Sequence, residues 1–353
     1  MITVRFVFII CLINCFSYSQ KIKINGVLFE KINSNDSIIL LSDSSIKDEY
    51  YEKTYLIREI KNNSFYLKNE ITYPQMFRVR LKSETNKIPN RRGFYFLDKT
   101  STYIKIDSLK IAGEVVGEIG NEFKNEFTPF FIKDNTNQDN FDSILFKENN
   151  FFDIKLLDYV IKHNNSFIAL WFFIYDFSNT GYSDLKNKIL NSFSIKMKSE
   201  KLWKIAYNDF HKIKIKENQK FPKLLLKNTN LQPEKLTIPK AKYTLVDFWF
   251  SRCRPCLEEM PIWINLYNLY NSKGFNVIGI SSDKTENVKP YWQKRIIEKG
   301  IPWKNYLDEN AIFCTSEKIN SFPTNFLLNE KGEVIQKNIQ PEDLEKILSE
   351  NLK

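Results

Sequence analysis

Cys253-Arg254-Pro255-Cys256 is the segment whose residue types and spacing carry chemistry most directly. It follows the apolar run Thr244–Phe250 and opens a stretch with helical spacing. The unpaired N–H groups and the dipole at a helix start stabilise a thiolate. A cysteine there has a depressed pKa and attacks disulfides near neutral pH. A second cysteine one helical turn on can resolve the mixed disulfide. Arg252 and Arg254 add positive charge beside the pair, and Pro255 suits a first helical turn. Half of a metal site is the first competing reading, but nothing local supplies two further ligands. A structural disulfide is the second, and so small a loop adds little stability. Redox chemistry is therefore the expectation.

The surrounding elements must position that pair. From about Leu224 onward, strands alternate with helices, as in an α/β layer with a mixed sheet. Residues 244–250 form a continuous apolar strand, as in a sheet covered on both faces. A helix follows and closes at Gly274, then strand 276–282, helix 288–300, a hairpin turning at Glu330-Lys331-Gly332, and a last helix opened by Pro341. Pro222 and Pro233 frame what reads as a polar linker. Between about residues 121 and 216 the spacing is helical. Between 21 and 131 seven short runs alternate between turn residues, which suggests an antiparallel sandwich or barrel.

The chain has 353 residues, long enough for two or three domains. At 42% hydrophobic and 15% aromatic it has ample core material, so global disorder is excluded. The net charge of +10 comes from scattered lysines without a long basic run, so no nucleic-acid partner is expected. Five Cys and two His are too few for a zinc fold.

Residues 1–19 read as a signal peptide. Arg5 precedes an apolar run from Phe6 to Ile13, and Ser17 and Ser19 stand at the −3 and −1 positions of a cut before Gln20. A lipoprotein reading through Cys15 is the alternative, although Asn14 fits it poorly. Either reading implies export to the periplasm, with a membrane tether only if Cys15 is lipidated. The mature chain keeps Cys253, Cys256 and Cys314.

The segment VDFWFSRCRPCLEEMP resembles the active-site region of TlpA/ResA-like exported thiol–disulfide oxidoreductases, within the thioredoxin-like family. Asp247 lies six residues before Cys253, where that family carries a buried proton-accepting Asp. Glu259 lies three after Cys256, where members carry a Glu near the disulfide, and Pro261 stands at the helix-kinking proline. Ser321-Phe322-Pro323-Thr324 resembles the cis-proline loop, and the insertion 285–300 suits this branch. Arg252 departs from the pattern, since a Trp commonly precedes the first cysteine. The β-rich start is similar to a domain of unknown function that precedes such modules in Bacteroidetes proteins.

Patterning and resemblance together give an organisation of 1–19 signal peptide, 20–131 small antiparallel β-rich domain, 132–216 helical connector and 217–353 α/β domain, which the resemblance makes thioredoxin-like. It implies Cys253 as nucleophile, Cys256 as the more buried resolving thiol, and Pro323 as the cis-proline. Phe322 and Thr324, with Arg252, Arg254 and Pro255, would meet the substrate. Asp247, desolvated on its apolar strand, would take the proton of Cys256, and Glu259 could share that role. No cofactor is implied beyond the Cys253–Cys256 disulfide. The implied partners are protein thiols and disulfides and an upstream membrane electron donor, with reduction favoured over oxidation. Trp249 and Trp263 read as core, Cys314 as a buried inert thiol, and His163 and His211 as surface or packed residues. Competing functions are a copper-delivering chaperone, which both histidines' positions disfavour, and a redox-inactive module whose β-rich domain does the binding.

Overall fold

Period-two patterning builds the first part of the chain and period 3.6 the second. The computed structural model describes residues 21–28, 36–62, 64–82, 93–106, 114–132 and 151–352. The signal-peptide and lipidation readings, with Cys11 and Cys15, lie outside them. The chain divides into two units, one holding the residues up to Ser42 and Tyr51–Thr128, the other Asp43–Tyr50 and Pro129–Lys353.

In the first unit the seven expected runs are strands. They are β1 (Lys21–Leu28), β2 (Ser37–Leu41), β3 (Tyr55–Glu59), β4 (Ser64–Glu70), β5 (Gln75–Leu81), β6 (Phe94–Leu97) and β7 (Tyr103–Ile106). An unforeseen β8 (Glu114–Val116) follows, then α1 (Glu118–Glu122). Two four-stranded sheets form, ordered β4-β1-β7-β8 and β3-β2-β5-β6. Their pairings are antiparallel except β1 with β7, which is parallel. The buried faces, including Ile38, Leu40, Leu67, Phe77 and Tyr95, share one apolar core.

The second unit begins with helices α2 (Phe151–Lys162), α3 (Phe167–Thr180), α4 (Asp184–Ser192), α5 (Ile195–Ser199) and α6 (Lys201–His211). Serines cap three of them. Ser166, Ser183 and Ser194 each accept the amide three residues on, at 3.0–3.1 Å. Helix α3 is apolar nearly all round and almost wholly buried, so the others pack about it. Lys186 is buried among them, with its Nζ 2.7 Å from Asp153 and 2.8 Å from Asp176.

A seven-stranded sheet follows, from β9 (Leu225–Lys227), β10 (Pro233–Lys235), β11 (Tyr243–Trp249), β12 (Phe275–Ser281), β13 (Lys304–Leu307), β14 (Thr324–Asn329) and β15 (Val334–Lys337). Its order is β10-β9-β13-β12-β11-β14-β15. Strands β11, β12 and β13 run parallel, β14 returns antiparallel to β11, and β15 pairs antiparallel with β14. The stretch between Pro222 and Pro233 is thus not a plain linker. It carries β9, which pairs with β10 and lays the edge of the sheet beside β13. Strands of three residues leave too short a pattern to be seen in sequence.

Helix α7 (Arg254–Tyr270), a helical run 285–298 (α8), α9 (Ile312–Ser316) and α10 (Pro341–Asn351) complete the layers. Buried Cys256, Met260, Trp263 and Leu266 recur at helical spacing and lay one stripe of α7 on the sheet. Backbone and side-chain bonds join the helical layer to the α/β part. Glu317 accepts the amides of Lys214 and Ile215 at 2.8 and 2.9 Å, and Asn320 donates to the Ser178 carbonyl at 2.7 Å.

Removing Lys186 leaves two buried carboxylates facing each other without their shared cation. Lys186→Met should destabilise the protein by about 3–5 kcal/mol in urea unfolding, the range for breaking a buried ion cluster. Unchanged stability would mean that the cluster contributes nothing.

Candidate active site

Strand β11 lies between β12 and β14, and its side chains alternate between two cores. Val246 and Phe248 join one, and Leu245 and Trp249 the other. Asp247 falls between Leu245 and Trp249 and so faces the side where α7 packs. The chain then turns sharply. The Cys253 amide donates to the Phe250 carbonyl at 3.0 Å, and the Leu257 amide to the Cys253 carbonyl at 3.1 Å. Cys253 is the N-cap of α7, and its Sγ accepts the amide of Cys256 at 3.2 Å. That amide is one of the orphan donors of a helix start, so the local field favours sulfur as an anion.

Cys253 and Cys256 form a disulfide with their Cα atoms 5.3 Å apart. Both residues are 3% exposed. The expected difference in burial is therefore absent in this state, because both sulfurs pack in one cluster with Trp249, Trp263 and Trp292. What distinguishes the two cysteines is the helix terminus, not solvent access.

Each of the two arginines has a neighbour of its own. Arg254 Nε donates to Glu258 Oε1 at 2.8 Å, and the two side chains are 88% and 62% exposed, so the pair adds little to stability. Arg252 lies over the Tyr291 ring, 5.4 Å from its centre.

Asp247 is buried, and its Oδ1 has no hydrogen-bond partner among the described residues. Burial, with the Glu259 carboxylate nearby, raises its pKa to about 7. Glu259 is half-buried. Burial lifts it too, against a hydrogen bond with Trp263, and the charge of Glu342 at the start of α10 adds to the rise. The charge of Glu342 at the start of α10 thus acts on Glu259, and that of Glu259 on Asp247.

The Phe322-Pro323 bond is cis. The Phe322 ring meets Phe250 edge-on at 5.4 Å, and Thr324 opens β14 with its hydroxyl donating to the Ser321 carbonyl at 2.7 Å. The loop before β14 thereby stands beside the turn before Cys253. Pro255 is exposed in the first turn of α7. Trp249 and Trp263 are core residues, 1% exposed.

Cys314 is fully buried on the opposite face of the sheet. Burial and the nearby Asp308 carboxylate hold its thiol well above the ordinary range. His163 stacks on Tyr159, and His211 contacts the Tyr207 carbonyl, both in the helical layer. Among the described residues no group of three or more metal-ligating side chains converges.

Asp283 was not singled out in sequence. It is 2% exposed and accepts the Ser251 amide at 2.8 Å, the Ser251 hydroxyl at 2.6 Å and the Ser281 hydroxyl at 2.6 Å. It fixes the turn that delivers Cys253. Its one visible signal is an acid just beyond a buried strand, which the apolar pattern of Asn276–Ser282 masks. Trp292, from the inserted helix, packs beside the cysteines and was likewise missed.

Residues 216–351 match the family model described as Redoxin. The chain is 27% identical over 121 residues to the thiol-disulfide oxidoreductase ResA of Bacillus cereus, covering 34% of this chain and 68% of that one. It is 28% identical over 127 residues to the sporulation thiol-disulfide oxidoreductase A of Bacillus subtilis, covering 36% and 76%. The thioredoxin domain of a Bacteroides vulgatus thiol-disulfide oxidoreductase aligns at 27% identity, covering 40% of this chain and all of that domain, with a TM-score of 0.35. The stretch 216–351 is a TlpA/ResA-like oxidoreductase domain of thioredoxin fold. The β-rich unit lies outside that match.

Asp247 gives a pH test with a fixed sign. Its folded pKa is raised above the unfolded value, so the folded state binds more protons between about 3.9 and about 7, and stability falls as pH rises through that window. Asp247→Asn should therefore stabilise the protein at pH 8 relative to wild type, with an upper bound of about 4 kcal/mol. The gain should shrink towards pH 4. An equal effect at both values in urea unfolding would rule out the buried proton.

Proposed function

We propose that this chain is an exported thiol–disulfide oxidoreductase that reduces protein disulfides in the periplasm through Cys253 and Cys256. The observation that carries the reading is the Cys253 sulfur at the start of α7, accepting the Cys256 amide with Cys256 itself in bonding reach. Export rests on the pattern of residues 1–19. Among the described residues no helix is long and apolar enough to cross a membrane.

In the reducing direction the Cys253 thiolate attacks one sulfur of the substrate disulfide. The substrate S–S bond breaks, and its second sulfur leaves as a thiolate that takes up a proton. The Cys256 thiol passes its proton to the Asp247 carboxylate. The resulting thiolate attacks Cys253 Sγ, releasing the first substrate sulfur. Two electrons move from the protein dithiol to the substrate, and the protein is left as its disulfide. A protein dithiol donor at the membrane would return it to the reduced form by the same exchange. No bound cofactor enters this cycle.

A pKa near 7 suits Asp247 to this task, since it can hold or release a proton at working pH. Glu259, half-buried between Asp247 and Glu342, gives that proton a route outward. The Phe322 side chain packs against the cluster that holds both cysteines, which supports a substrate chain pairing as a strand with the backbone before Pro323.

Peptide mapping tests the roles. Reduced protein given a limited dose of alkylating reagent near pH 6 should be labelled first at Cys253. Cys253→Ser should abolish reduction of a peptide disulfide, and Cys256→Ala should accumulate that peptide as a mixed disulfide on Cys253. Labelling first at Cys256 or Cys314, or a peptide trapped on Cys314, would contradict the assignment.

A further inference from the structure

Two observations beside the sulfurs are not used by the exchange steps. The first is the charge of Arg252, the residue just before the nucleophile. Arg254 has its carboxylate in Glu258, whereas Arg252 has none among the described residues. Its guanidinium is exposed and rests on the face of Tyr291. The second is how Tyr291 comes to be there. Val288 and Trp292 of α8 are buried in the same apolar cluster as Cys253 and Cys256. They pin the inserted helix against the active-site face and leave Tyr291, between them, 41% exposed.

A cation stacked on an aromatic ring keeps its edge N–H groups free for a planar oxygen pair. The inserted segment reinforces the sign of the field. Residues 285–300 include four basic and two acidic side chains, Lys289, Lys294, Arg295 and Lys299 against Glu286 and Glu298. Glu298 is itself engaged with Lys294 and Arg295.

We propose that Arg252, braced on Tyr291, is a specificity-determining residue that receives an acidic side chain next to the substrate's reactive cysteine. The carboxylate would lie against the guanidinium while the neighbouring sulfur reaches Cys253. This rests on the exchange reaction proposed above, and it adds the substrate class, disulfides with an acidic neighbour.

The test uses the reduced full-length protein and two synthetic peptides with one internal disulfide each, flanked by Glu in one and by Lys in the other. Rates of peptide reduction give kcat/KM. Wild type should favour the Glu peptide by about fivefold at low salt, the scale of one exposed charge pair on each side of neutral, with the preference fading in 0.5 M salt. Arg252→Glu should invert the preference while the thiol titre stays the same. Tyr291→Phe should keep the preference, and Tyr291→Ala should weaken it. Equal rates for the two peptides in wild type, or a preference unchanged in Arg252→Glu, would overturn the proposal and leave the exchange reaction standing. Reduction of neither peptide would overturn the exchange reaction itself, and this inference with it.

Discussion

Asp283 and the three hydrogen bonds it accepts are what the rest of the site depends on. A buried carboxylate needs such partners, and here they are the Ser251 amide, the Ser251 hydroxyl and the Ser281 hydroxyl. They tie the end of β11 to the end of β12 at the point where the chain must leave the sheet and enter α7. The adjacent turn is closed by the Cys253 amide on Phe250. With that corner held, Cys253 can only be the N-cap of the helix, and its sulfur can only face the amide of Cys256. Thiolate stabilisation then follows from helix geometry.

The same corner sets the carboxylates. Because β11 alternates between two cores, Asp247 is carried into the core under α7, two positions from Trp249. Desolvation does most of the work on its pKa, and Glu259 the remainder. In the proposed cycle a helix terminus favours the anion at Cys253, and Asp247 takes the proton of Cys256. Arg252 and Arg254 each have a neighbour of their own. One is neutralised by Glu258 and the other stacks on Tyr291.

The parts of this arrangement that sit on one element were legible in sequence. The CxxC spacing, the apolar strand before it, Asp247 on that strand and Glu259 on the helix all lie within the sixteen residues from Thr244 to Glu259. Strands β1–β7 were legible too, since period-two patterning needs no distant partner. What escaped depends on contacts between distant segments. Asp283 acts across 32 residues on Ser251, and Glu317 across about a hundred on Lys214 and Ile215. Strand β9 exists because β10 and β13 pair with it, and Trp292 is core only because the inserted helix folds back on the cysteines.

The central claim is that Cys253 and Cys256 form one two-electron couple and that Cys314 takes no part. Equilibrating the protein across a series of glutathione redox buffers, quenching, and mapping each cysteine by mass spectrometry tests it most directly. The account predicts that Cys253 and Cys256 change state together with a two-electron slope, about 30 mV per tenfold change in the ratio of forms, while Cys314 remains a free thiol throughout. A Cys253–Cys256 pair that stays in one state across the whole range, or a disulfide that includes Cys314, would contradict it.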